Sequence, residues 1–384
     1  MHLEKSYIIN YRNLKEVVLD LHPNLNFFIG QNGQGKTNFL ETIYILGTGT
    51  SHRTNIDKEL VNWDENKAII QGKLHRQDQE LKMEFQLKGT KKSAMINNYP
   101  IQKITEFIGN LNVVLFSPED LSLVKGGPNK RRRFLDIEIS QISSFYLHLL
   151  RTYNHILKQR NNLLKKIKYN EGDEIMLDIW NTQLIDVGSK IIHKRVQTIE
   201  KMKKLARKVQ EEITLEKEYL SLEYDNSFKI KKLEEASLEE IQEAFKNILK
   251  YNKSKEIERG YSLYGPHRDD LIFKFNEIDA RKYGSQGQQR TIALALKLAE
   301  IKFMEQQTGE TPILLLDDVF SELDESRRNA LIKIISNRIQ TFITSTELED
   351  FNALRKNSHK VFTVKEGTIT NSETYNNSKE KEEI

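Results

Sequence analysis

Apolar and polar positions change period several times along the chain. Tyr7–Leu14 and Val17–Leu21 alternate in strand fashion, His22-Pro23-Asn24 makes a turn, and Leu25–Ile29 is a short apolar strand run. Phe39, Leu40, Ile43, Tyr44 and Leu46 then recur at helical spacing until Gly47 offers a stop. Ala68–Leu74 and Leu81–Leu87 alternate like antiparallel strands, and Met95–Pro100 reads as a hairpin turn, so residues 51–115 form a β-rich lobe. Asn112–Phe116 is a buried-strand run ending in the turn Ser117-Pro118-Glu119-Asp120.

The pattern shifts at Lys125. A glycine-rich, then basic segment leads into a long helical stretch, with Phe134, Leu135, Ile139, Ile142, Tyr146, Leu149, Tyr153 and Ile156 holding a period near 3.6. After the Asn170–Asp173 break a second long helix runs from about 174 to 214. Two such helices predict a hairpin or arm. Tyr219–Tyr224 reads as a strand and Ser237 to about Lys253 as a charged helix. Tyr264–Asp270 makes a turn feeding the strand Leu271–Phe275. A helix spans Thr291 to about Gln307, and Thr311–Asp318 is a buried parallel strand. A helix from Glu325 to about Asn337, the strand Thr341–Thr346 and a hairpin over 361–370 follow; 371–384 reads as a disordered polar tail. This alternation predicts an α/β head formed by 1–125 and 259–370, interrupted by a mostly helical arm at 126–258.

Chemistry enters at Gly30-Gln31-Asn32-Gly33-Gln34-Gly35-Lys36-Thr37, a G-x-x-x-x-G-K-T phosphate loop between a strand and a helix. Its glycines let successive N–H groups face one concavity, and the helix start adds partial positive charge. Lys36 reaches outer phosphates, and the Thr37 hydroxyl suits Mg²⁺. Gly284–Arg290 forms a second anion-ready helix start, with Ser285 as N-cap, Gly287 allowing close approach and Gln288 beside them. Asp317 and Asp318 end their strand on opposite faces, so one is expected to hold Mg²⁺ and the other to orient the attacking water. Arg12, shortly before the loop, reads either as a solvated surface residue or as a phosphate or adenine contact. His267 and Arg268 read equally as a site or as a structural turn with an Asp–Arg pair.

Composition sharpens the partner more than the fold. The 384 residues carry a formal charge of only +4, so a polyanion must meet a local patch. Residues 125–168 hold eleven Lys/Arg against two acids, and 190–208 eight against one. That asymmetry points to a polyanion-facing arm, with Lys130, Arg131, Arg132, Arg133, Lys158, Arg160, Lys194 and Arg195 as candidate contacts. The absence of cysteine excludes disulfides and thiolate chemistry and fits a reducing, cytoplasmic setting. No apolar run approaches the roughly 20 residues of a membrane span.

Four segments in this order resemble the ABC-type ATPase heads of the SMC and RecF group: Gly30–Thr37 is similar to the Walker A loop, Ser285–Gln288 to the signature, Leu314–Asp318 to Walker B and Ser321–Asp324 to the D-loop. Ser117–Leu121 through Arg131–Asp136, and Gly265–Asp270, resemble the RecF family specifically, and the likeness spans about residues 1–370. It implies ATP and Mg²⁺ as cofactors and an ATP-dependent homodimer in which one head's loop faces the other's signature. It also implies binding to single-stranded or gapped DNA, RecO- and RecR-type partners, recombinase loading and SOS induction. Three departures imply slow hydrolysis: Asp318 where transporter heads place Glu, Thr344-Ser345-Thr346 where a switch His is common, and Glu119-Asp120 in the lid. The insertion is far shorter than an SMC coiled coil at about 1.5 Å per helical residue. A transporter ATPase subunit and a nucleotide-gated nuclease are the rival readings. The basic arm opposes the first, and the lack of a grouped metal-ligand motif opposes the second.

Overall fold

The computed structural model describes residues 1–376 except 78, 215–217, 336–338, 349–350 and 352–353. In chain order the elements are β1 (His2–Tyr11), β2 (Leu14–Asp20), β3 (Leu25–Ile29), α1 (Lys36–Thr48), β4 (Lys67–Arg76), β5 (Gln79–Lys88), β6 (Lys91–Ile96), β7 (Tyr99–Pro100) and β8 (Val113–Phe116). Then come α2 (Leu121–Lys125), α3 (Pro128–Ile142), α4 (Ser144–Lys168), α5 (Glu174–Thr214), β9 (Leu220–Asp225), α6 (Leu238–Tyr251) and α7 (Lys253–Arg259). They are followed by β10 (Asp270–Phe275), β11 (Ile278–Asp279), α8 (Ala280–Tyr283), α9 (Gln286–Thr308), β12 (Ile313–Asp317), α10 (Glu325–Ile335), β13 (Thr341–Ser345), β14 (His359–Lys365) and β15 (Thr368–Tyr375).

The chain divides into two compact units, 1–120 with 297–384, and 121–296. The crossing points therefore fall at 120/121 and 296/297, not at 125 and 258: the turn at 264–270, the strand at 271–275 and the signature segment belong with the helical unit. In the first unit, one six-stranded sheet has the order β2-β1-β4-β5-β6-β7, antiparallel throughout, and the other the order β15-β14-β3-β13-β12-β8. In the second sheet β14, β3, β13, β12 and β8 run parallel, so their carboxyl ends line one edge. Such an edge is where α/β sheets bind ligands. Phe28 of β3 stacks on Phe39 of α1 at 4.4 Å and on Phe362 of β14 at 4.8 Å, fixing the helix against the strand that carries its loop.

The helical unit packs α4 against α5, and β9, β10 and β11 form a small antiparallel sheet. The apolar stretch after Lys125 is two helices, because Ser143 adopts an extended conformation and its hydroxyl caps α4 at Tyr146 N, 3.2 Å away. Gly47 does not end α1. It is buried against Val113, and Gly49, at φ 69°, supplies the left-handed cap. Residues 371–375 are not a loose tail but the end of β15, paired with β14; 377–384, and the end foreseen at 337 for α10, lie outside the described residues.

Candidate nucleotide site and basic surface

Strand register builds the nucleotide site. Asp317 lies beside Thr344, and Ile29 beside Ser345, with Gly30 N donating to Ser345 O at 3.2 Å. The phosphate loop thus starts level with the carboxylates of β12. Gly33 (φ 79°) and Gly35 (φ 116°) hold left-handed conformations that side chains resist, and a Cβ on Gly35 would lie 3.0 Å from the Asn13 amide. Asn13 braces the loop by donating to Gln34 O at 3.1 Å, and it accepts from Asn38 at 2.7 Å.

Lys36 is buried, and its ammonium donates to Gly30 O at 2.7 Å and Gln31 O at 3.2 Å. The cation is thereby folded back over the concavity. The Thr37 hydroxyl donates to Asp317 Oδ1 at 2.8 Å, so the predicted metal pair is brought together across 280 positions. Thr344 donates to the same oxygen at 2.9 Å, and its own oxygen accepts from Asp318 N at 3.0 Å. Burial raises the Asp317 carboxyl above its ordinary value, with the two threonine hydroxyls opposing that shift. Asp318 sits at φ 51°, a left-handed backbone, at the strand's end.

Arg12 is half-buried rather than freely solvated. Its guanidinium pairs with both oxygens of buried Glu41 on α1, at 2.6 and 3.0 Å. Burial opposes ionisation of Glu41, but the bonds from Arg12 and Ser51 prevail and hold its carboxyl below the ordinary value. Sequence reasoning missed this brace, and missed Asn13 and the Thr344 bonds. An acid inside an apolar helix face (Glu41 between Leu40 and Ile43) was the available signal.

In the other unit, Ser285 and Gln288 close a reciprocal capping box at the start of α9: Gln288 N donates to Ser285 Oγ at 3.2 Å, and Ser285 N to Gln288 Oε1 at 2.9 Å. Ser285 is exposed and Gly287 half-buried.

The basic candidates separate by burial. Arg131, Arg160 and Arg195 are almost fully buried and cannot face DNA. Arg131 pairs with Asp270 (2.7 Å), Arg160 with Glu256 (2.6 Å), and Arg195 with Asp136 (2.8 Å) and Pro266 O (2.7 Å). The Arg131 and Arg195 contacts join the two family-specific segments and Arg160 ties α4 to α7, explaining part of the charge that the sequence assigned to the surface. Lys130 and Lys158 are exposed, while Arg132, Arg133 and Lys194 are half-buried, Arg132 donating to Asp269 O. Arg151, His155, Lys158, Asn162 and Lys165 form an exposed stripe on α4 that the sequence reading passed over. His267 is structural: its Nδ1 meets Tyr153 Oη at 2.7 Å, and burial lowers its pKa to about 3.

A parallel sheet carrying a phosphate loop, with Walker B carboxylates on the next strand but one and a capped signature helix, defines an ABC-type ATPase head. Residues 2–370 match the family described as RecF/RecN/SMC N-terminal domain. The DNA replication and repair protein RecF of Halothermothrix orenii is 51% identical over 371 residues, covering 96% of this chain and 99% of that protein. RecF of Staphylococcus carnosus is 46% identical over 370 residues, covering 96% and 100%. A solved structure of the recombination mediator protein RecF with ATP, of the RecFOR pathway, superposes with a TM-score of 0.90 at 37% identity, covering 97% of this chain and 98% of that one. An Smc head from Pyrococcus furiosus, at TM-score 0.52 and 13% identity, shares the fold alone. The chain belongs to the RecF family.

Proposed function

We propose that the protein is an ATP-gated DNA-binding switch of replication and recombinational repair, and a slow ATPase. The observation that carries this reading is the 2.8 Å contact between Thr37 of the phosphate loop and Asp317. Two hard oxygen donors converge beside a glycine cradle, and a Cβ on Gly33 would meet nothing within 4 Å. These residues fit Mg²⁺ and a triphosphate. Bound there, the ion would offset phosphate charge. Backbone N–H groups of 33–37 would hold the phosphates, Lys36 would exchange its two carbonyl partners for phosphate oxygens, and Asp318 would orient water. Asp318 is one methylene shorter than Glu, which fits slow turnover.

The phosphate loop and the Ser285 signature supply two anion-binding helix starts. The reading pairs one head's loop with a second copy's signature, making ATP a dimerisation signal. Exposed lysines and arginines of α3 and α4 then bind DNA through phosphates without reading bases. RecO- and RecR-type partners, recombinase loading and SOS induction come to this chain from its family. A nuclease reading has little support: in the acid–histidine group Glu4, His75 and Glu80, Lys73 lies 2.9 Å from both carboxylates, so the cation position is already filled.

The test is a titration with single-stranded, duplex and gapped DNA, with and without ATP. Contact with about five phosphates gives a slope near −4.5 in log K against log salt. Affinity that ignores both nucleotide and salt overturns the proposal.

A further inference from the structure

Glu218 has no place in the nucleotide chemistry above, yet it sits where three elements of the helical unit meet. Its Oε1 accepts from Gln288 Nε2 at 2.7 Å, and its Oε2 from Gln210 Nε2, in the last turns of α5, at 3.3 Å. The Thr214 hydroxyl, which donates to Gln210 O at 2.8 Å, lies 3.4 Å from the Glu218 carbonyl, and the next residue, Tyr219, exchanges backbone and side-chain bonds with Asn276 at 2.9 Å. Gln210 is fully buried, so the α5 side of this junction is anchored in the core.

The chemistry of the Gln288 contact is directional. An ionised carboxylate only accepts, so the Gln288 amide must turn its NH₂ toward Glu218. Its carbonyl oxygen is then aimed at Ser285 N, which it meets at 2.9 Å. Ser285 Oγ in turn accepts from Gln288 N, which leaves the hydroxyl its own proton to donate outward. A charge held by Gln210 of α5 thus sets the orientation of the signature Ser285. Without it, the amide can rotate, Ser285 N loses its acceptor and the cap loosens. The same α5 carries Lys194, Lys201, Lys204 and Lys208 at intermediate or exposed positions of its preceding turns.

We infer that Glu218 is a positioning residue that couples α5 to the signature: it holds Ser285 in the donor geometry required for nucleotide-driven pairing, and transmits DNA engagement of α5 to that geometry. The inference rests on the function proposed above.

The experiment compares wild type, Glu218→Ala, Glu218→Gln, Gln288→Ala and the double alanine variant. Each is measured for ATP affinity at protein concentrations where it is monomeric. Each is also measured for its dimerisation constant with a slowly hydrolysed ATP analogue, with and without duplex DNA. Glu218→Ala should leave monomer ATP affinity unchanged, since the phosphate loop is intact. It should weaken dimerisation about ten- to a hundredfold, the effect of one charge-assisted bond, and abolish the enhancement by DNA. Gln can still accept through its amide oxygen, so Glu218→Gln should recover most of the loss. Gln288→Ala should match Glu218→Ala, and the double variant should be no worse than either. Failure of wild type to pair with nucleotide overturns the proposed function itself. If wild type pairs and Glu218→Ala pairs equally with the same DNA response, or if the two losses simply add, the coupling is overturned. If Glu218→Ala does not fold, Gln288→Ala decides on the same criteria: pairing and DNA response equal to wild type overturn the coupling.

Discussion

Thr344→Val isolates the hydroxyl that ties the Asp317 carboxylate to the Asp318 backbone. The exchange nearly conserves volume and removes one buried hydroxyl, which donates to Asp317 Oδ1 at 2.9 Å and accepts from Asp318 N at 3.0 Å. A hydrogen bond to a charged group contributes about 1.5–3 kcal/mol, and the stranded Asp318 N–H costs about 1 kcal/mol more. At about 2–4 °C per kcal/mol the melting temperature should drop by roughly 5–15 °C. Thr344→Ser, which keeps the hydroxyl, should lose far less. The pH dependence adds a second signature. Burial raises the Asp317 carboxyl and Thr344 holds it down, so Thr344→Val raises it further. A carboxyl raised on folding favours the protonated folded state, so its contribution is present below the ordinary Asp range and lost as pH climbs through the raised value. The melting deficit of Thr344→Val should therefore narrow on acidification, while Mg²⁺-ATP binding fails at a higher pH than in wild type. Thermal melts and nucleotide titrations across neutral to acid pH measure both. A variant that melts with wild type, or whose deficit is the same at every pH, refutes the reasoning.

The remaining expectations use other parts of the molecule. Lys36→Ala should reduce ATP affinity at least about a hundredfold with only a small melting shift, because its present partners are two loop carbonyls that water can also satisfy. Arg160→Ala strands the fully buried Glu256 and should cost about 3–5 kcal/mol by denaturant titration, whereas exposed Lys158→Ala should leave stability unchanged and flatten the salt slope of DNA binding by about one. Asp120 has its carboxyl pushed up to about 6, first by burial, so its ionisation destabilises the folded state as pH rises through 6. Asp120→Asn should therefore melt higher than wild type above about pH 6 and equally with it below the ordinary Asp range, provided the bond from Ser117 N is kept.

The nucleotide half of the molecule was legible because local rules and tertiary context agree there. The strand 25–29, the loop 30–37 and the helix that follows need one another, and four consecutive apolar residues before Asp317 fit a strand buried on both faces, which β12 is. The arm was legible as helices but not as a surface. Periodicity marks an apolar face, yet Arg131, Arg160 and Arg195 show that a cation on a helix can point inward once Asp270, Glu256 and Asp136 are brought to it from 59 to 139 positions away. The division between units was misplaced for a similar reason. A return to strand character at 271–275 reads as a return to the main sheet, but β10 pairs with β9 and β11 in a sheet of its own. The Ser143 break was hidden because a capping serine between two apolar helices leaves the period almost intact.

The central claim is that nucleotide bound at Lys36 brings two copies together. Sedimentation equilibrium of the full chain, with and without a slowly hydrolysed ATP analogue and Mg²⁺, tests it most directly. The account predicts a monomer without nucleotide, a dimer with it, and a monomer in both conditions for Lys36→Ala. A wild-type chain that binds the analogue yet keeps one mass in both conditions contradicts it.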